Sequence, residues 1–225
     1  MPEGLAPIDE KLRSGRISGD ASAVTVGLLY HDHEVQAVPM TWQAVSRPGD
    51  PWGAYARAYH ELNQALDFVR DSLAIEFGGV SERATIDGWS GRVQHVGDYY
   101  AHCISHRAFA EAAGLGWRGR HGLIVTTEAG AALRLATIFL NGHVEPRQQR
   151  VAGCGDCFDC LEVCPVLRQA ADYREACRRH INALGLEADV CGICVRVCWE
   201  RVTRKRRDHG KCRPGSSATP GRSGT

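Results

Sequence analysis

The chain has 225 residues, 44% hydrophobic and 24% charged, with a formal net charge of +1. That length allows one moderate domain and a small one, and the near-neutral balance excludes a protein built as a whole around a polyanionic partner. No apolar h-region opens the chain and no run approaches the ~20 apolar residues of a membrane span, so a soluble, cytoplasmic protein with no membrane partner is expected.

Residues 1–20, rich in Gly, Ser and charge, are expected to be a flexible leader. "SAVTVGLLY" (Ser22 to Tyr30) is a β-branched apolar run of strand length, and "EVQAVPM" (Glu34 to Met40) a weaker second strand. Tyr55, Tyr59, Leu62, Leu66, Val69, Leu73 and Phe77 recur at steps of three and four, which predicts an amphipathic helix closed by Gly78 and Gly79. Residues 80–104 lack a period and read as loop with one short strand. Ser105 then caps a short helix, "HRAFAEAAG", ended by Gly114. "GLIVTT" (Gly122 to Thr127) and "LRLATIFL" (Leu133 to Leu140) are strands on either side of an "EAG" turn. Strands mixed with helices over 21–146 predict an α+β domain for a cofactor or substrate. A polar linker, Glu145 to Arg150, leads into a cysteine-rich module over 147–200. The basic stretch 201–225, with seven Lys or Arg against one Asp between Arg201 and Arg213, is expected to be disordered, with nonspecific contact to RNA phosphates as its one candidate role.

Nine of the ten cysteines follow residue 153, and clustered thiols in a reducing compartment read as metal ligands. "CGDCFDCLEVCP" (Cys154 to Pro165) has the C-x2-C-x2-C-x3-C-P spacing of a ferredoxin loop. Three of its sulfurs wrap three corners of a [4Fe-4S] cube, and the fourth, turned away by the Cys-Pro step, reaches a second cube. By the same logic "CGICVRVC" (Cys191 to Cys198) exports Cys198. One cluster then takes Cys154, Cys157, Cys160 and Cys198, and the other takes Cys164, Cys191 and Cys194. The eighth ligand is expected at Cys177, between the two motifs, with Cys103 and Cys212 as the alternatives. Structural zinc, which closes with four ligands, fits a seven-cysteine crosswise pattern poorly.

His31 and His33 would share a strand face as a metal pair, although a polar strand end explains them without a metal. Gly114, Gly116 and Gly119 follow a helix, unlike a dinucleotide fingerprint. They suit a tight helix exit and close approach to a cofactor, which Trp117, Arg118 and Arg120 would face.

The stretch "SHRAFAEAAGLGWRGRHGLIVTTEAGAALRLATIFLNGHVEP" (Ser105 to Pro146), the two cysteine motifs and the lone cysteine between them resemble the epoxyqueuosine reductases and their shorter relatives. The resemblance covers roughly residues 53–199. It implies corrinoid-dependent iron-sulfur proteins akin to reductive dehalogenases, with a nitroreductase-like α/β domain holding a cobalamin beside a ferredoxin-like double [4Fe-4S] module. It places the lone cysteine on the second cluster, in agreement with Cys177, and an external electron donor (flavodoxin, ferredoxin or a reductase) upstream. Full-length members continue into a helical-repeat domain that grips tRNA, whereas here a basic tail follows Glu200. A small-molecule substrate is therefore expected ahead of tRNA, and an enzyme ahead of a non-enzymatic electron carrier or accessory subunit. The family's proton donor, an Asp fourteen residues before the first Gly of "GLGW", falls on Tyr100, with Asp98 and Tyr99 as neighbours and His102 or His106 as the cation that would stabilise its phenolate. Trp199 stands where the family has Pro, and is expected to alter the turn there.

Overall fold

The structure is a computed structural model that describes residues 16–40, 51–85, 94–95, 97–99, 103–145, 153–169, 173–184 and 190–211. Its first regular element is β1 (Ser22–Leu29), the β-branched run, which pairs antiparallel with β5 (Leu133–Leu140) from Ser22 opposite Leu140 to Leu29 opposite Leu133. A short strand, β2 (Val80–Glu82), pairs antiparallel on the other edge of β5, giving the order β1-β5-β2. A second, two-stranded sheet joins β3 (Trp117–Arg118) to β4 (Ile124–Val125).

The central strand is buried on both faces because helices cover both. Leu66 of the long helix α2 (Pro51–Glu76) packs with Ala136 and Ala84 on one side. Phe109 of α3 (His106–Ala112) meets Phe139 edge to face on the other, with ring centroids 5.5 Å apart. Tyr55, Tyr59 and Leu66 of the expected apolar stripe are buried, but Phe77, its last member, lies past the helix end and is exposed. Gly78, at φ +65°, turns the chain out of α2 toward β2, a conformation that side chains with a Cβ rarely adopt.

Several sequence expectations are corrected. Glu34 to Met40 is no strand: Asp32–Ala37 forms a short helix, α1. The His31 backbone N–H donates to Glu34 Oε2 at 2.8 Å, and the wholly buried Val35 and Val38 are three residues apart, a helical spacing. His31 and His33 therefore flank a helix start on exposed positions, their rings stacked at 5.7 Å. Within the expected leader, Ile17 is buried against Ile104 and Phe139, so packing begins before residue 21.

The cysteine-rich part folds as α4 (Asp159–Val163), α5 (Pro165–Gln169), α6 (Tyr173–Leu184) and α7 (Ile193–Lys211). The basic stretch after Glu200 is thus helical as far as Lys211. Glu200 pairs with Arg196 at 2.9 Å and Arg204 at 3.4 Å, and Arg206 donates to the Glu128 carbonyl, so its cations extend a helix they favour intrinsically. Trp199 makes no turn either. A proline there would interrupt α7, whereas the Trp continues the helix and is buried. The largest apolar cluster joins Tyr30, Val35, Val38, Trp52 and Tyr55 to Ile193, Val195 and Trp199. The two regions that the sequence separates therefore share one core. No described helix is long and apolar enough to cross a membrane.

Candidate functional site

The cysteine side chains fall into two neighbourhoods. The Cys160 thiol feels Cys154 and Cys157, and Cys198 feels Cys154, Cys160 and Cys157. Cys177 feels Cys164, Cys191 feels Cys177 and Cys164, and Cys194 feels Cys191, Cys177 and Cys164 ahead of Cys160. Local structure explains the sorting. Cys164 sits in extended backbone between α4 and the Pro165 that opens α5, so the chain carries its sulfur away from the first loop. Cys194 and Cys198 lie one turn apart on α7 and serve opposite neighbourhoods. Burial pushes the Cys177 thiol up to about 11 and those of Cys191 and Cys198 to about 12, so a cation among these sulfurs is what would ionise them. Among the described residues, no group of three or more His, Cys, Asp or Glu is placed to hold a single metal ion. Of the two alternative ligands, Cys103 is half-buried beside Tyr99, and Cys212 lies outside the described residues.

A cavity of about 390 Å³ borders Cys164, Cys177, Cys191 and Cys194, while Cys154, Cys157, Cys160 and Cys198 do not line it. Its lining also takes Tyr30 from just past the end of β1, Tyr55 from α2 and Arg134 from β5. The rings of Tyr30 and Tyr55 stack at 5.0 Å and their hydroxyls hydrogen-bond each other. Burial pushes the Tyr30 phenol up to about 12 against the opposing pull of Arg134. Arg134 donates from Nε to Asn63 Oδ1 at 2.9 Å and from its guanidinium to the Thr85 carbonyl at 2.6 Å, and lies 4.2 Å from the centroid of the Tyr59 ring. None of these residues belongs to a sequence motif. Their only signal in the chain was membership of strands and of the α2 stripe, which reads as core.

The proposed catalytic and cofactor-facing residues are distributed differently. Tyr100 and His102 lie outside the described residues. Asp98 is exposed and accepts from the His95 backbone N–H, while Tyr99 lines the cavity and its hydroxyl donates to Thr85 Oγ1 at 3.2 Å. His106 is not a cation. Burial holds it down to about 4, with Nδ1 2.9 Å from Thr137 Oγ1 and Nε2 2.6 Å from the Arg83 carbonyl, the pattern of a neutral ring that donates from Nε2. Gly114, at φ +69°, gives the tight exit from α3. A Cβ at Gly116 would strike the Val125 carbonyl and one at Gly119 the His121 ring, so their closeness is to their own sheet. Trp117, Arg118 and Arg120 also lie off the cavity. Arg118 pairs with Glu111 at 3.3 Å. Arg120 donates to the Cys157 and Gly155 carbonyls at 3.0 and 2.8 Å and covers the Phe158 ring, clasping the first cysteine loop.

No family model matches the chain. An epoxyqueuosine reductase of Alicycliphilus denitrificans is 29% identical over 180 residues, covering 76% of this chain and 46% of that protein. The epoxyqueuosine reductase of Salmonella typhimurium is 36% identical over 86 residues, or 38% of this chain and 22% of its own. Among solved structures, epoxyqueuosine reductase from Streptococcus thermophilus covers 76% of this chain and 48% of its own at 19% identity, with a TM-score of 0.43. The chain spans less than half the length of these curated relatives. By these sequence matches, the chain is similar to the epoxyqueuosine reductases over up to 76% of its length.

Proposed function

We propose that the chain is an iron-sulfur oxidoreductase with two [4Fe-4S] clusters, one on Cys154, Cys157, Cys160 and Cys198 and the other on Cys164, Cys177, Cys191 and Cys194. The observation that carries this reading is the asymmetry of the two thiol sets: one borders a cavity and the other does not. The donors suit the group, because four thiolates are what each cube takes. Bound clusters would supply one-electron transfer over a short path. The protein's part is to set its direction. An external donor would approach the first loop, where Phe158 is 44% exposed, and the acceptor would lie in the cavity beside the second set.

The cavity also favours an enzyme over a bare electron carrier, which needs no walled space beside its inner centre. Its size suits a small molecule, so the corrinoid implied by the resemblance would enter with its reactive face alone, against the flat Tyr30 and Tyr55 wall. A substrate carried on tRNA would present its reacting group to the same space. Tyr100, with its sequence neighbours Asp98 and the cavity-lining Tyr99, is the proposed proton donor for a reduction there.

Anaerobic reconstitution with iron and sulfide tests this reading. About eight iron atoms per chain are expected from two four-iron clusters, and added cobalamin should be taken up near stoichiometrically with a shifted visible spectrum. Zinc without iron would remove the redox function, and iron without corrinoid uptake would leave a small-molecule acceptor.

A further inference from the structure

The lining of the cavity is chemically one-sided. Its described lining includes Arg107, Arg134, Arg174 and Arg178 together with five tyrosines, and contains no Asp or Glu. Arg178 is balanced nearby by Glu175 at 2.6 Å. Arg134 is not balanced in this way. Its hydrogen-bond partners, the Asn63 amide oxygen and the Thr85 carbonyl, are neutral, and no carboxylate among the described residues pairs with it. A half-buried guanidinium without a counter-charge is costly, and a ligand anion would offset that cost. A second observation points the same way. Ser105, on the same lining, is 2% exposed and its Oγ has no hydrogen-bond partner, although buried hydroxyls are almost always bonded. The Tyr30 and Tyr55 hydroxyl pair adds a further donor beside the Arg134 charge.

We propose that the cavity holds its acceptor by an oxyanion, a carboxylate or phosphate group received by Arg134 with Ser105 and the Tyr30–Tyr55 pair as neutral donors. This assignment rests on the reading of the cavity as the acceptor site and names the class of acceptor, a small anion with a flat body that lies along the tyrosine rings. The anion is anchored by Arg134 of β5, and Tyr55, whose phenol feels Cys194, carries the same lining on to Cys164, Cys177, Cys191 and Cys194.

Calorimetric titration of the anaerobically reconstituted chain tests it, with benzoate, its neutral amide benzamide, and inorganic phosphate as probes. Benzoate should bind and benzamide should not at the same concentrations. Arg134→Gln should weaken benzoate about tenfold or more, the usual worth of a charged hydrogen bond, and Ser105→Ala a few-fold with unchanged melting. Arg134 also holds the Thr85 carbonyl, so Arg134→Lys serves as the folded control and should stay closer to the parent than the Gln variant. Displacement of benzoate by inorganic phosphate would widen the class to phosphoryl groups, and failure to displace it would restrict the class to carboxylates; either result upholds the oxyanion site. Equal binding of benzoate and benzamide overturns the proposal. So does an Arg134→Gln variant that shifts the reduction potential of the second cluster without touching benzoate affinity, because Arg134 would then be the counter-charge of the cluster. Benzoate binding that depends on Arg134 in a chain that takes up no iron would keep the oxyanion site and end the redox reading, whereas full iron with no benzoate binding would do the reverse.

Discussion

His106 shows how far a single side chain can depart from its sequence reading. Beside an aromatic pair it suggested a cation, yet it is a core group bonded to Thr137 and to the Arg83 carbonyl. Its neutrality has a pH consequence. The unfolded ring titrates near 6.5 and the folded one near 4, so between these values the unfolded state binds more protons and stability rises with pH. The contribution is complete above about pH 6.5 and is lost as pH falls toward 4. Urea unfolding at pH 7 and pH 4.5 should show a loss larger by about 2 to 3 kcal/mol in the parent than in His106→Gln. An equal loss in both would mean that His106 does not titrate differently on folding. The cysteines were legible at this scale because thiol spacing is itself chemistry. Ser105, Arg134 and the Tyr30–Tyr55 pair were not, because they lie on separate elements and converge only when β1 and β5 pair.

At the scale of elements, a strong period such as that of α2 could be read directly. Helices set by local pairing could not. α1 rests on one backbone-to-Glu34 bond, and the extension of α7 on the Glu200 pairs. The helical spacing of Tyr173, Cys177, His180, Ile181 and Leu184 would have revealed α6. Where α7 crosses the turn before β5, Gly130 has φ +57° and a Cβ there would come within 2.8 Å of the Cys198 carbonyl. Gly130→Ala should therefore cost about 2 kcal/mol or more and lower the iron content of the Cys198 set first, while Gly19→Ala, with nothing within 4 Å, should be neutral. Melting curves and iron analysis of the two variants check this. Equal stability would show that the turn yields without moving α7.

For the whole molecule, the boundary that the sequence draws near residue 146 follows a change of composition, not a gap in packing. Trp199 and Ile193 close a core begun by Tyr30, Trp52 and Tyr55, and that core fixes the second thiol set against the cavity. Composition could not show this, because each of these residues is separately an ordinary buried side chain. The proposed wiring depends on that placement: Cys198 and Cys177, on successive helices of one module, serve different clusters. Iron and sulfide analysis with spectroscopy of Cys177→Ala and Cys198→Ala, reconstituted side by side, is the most direct test. Each variant should keep about four of about eight irons. Cys177→Ala should retain the cluster of the first loop and lose electron delivery to the cavity, and Cys198→Ala should retain the one beside the cavity. Full iron in either variant, or the same surviving cluster in both, would contradict the assignment.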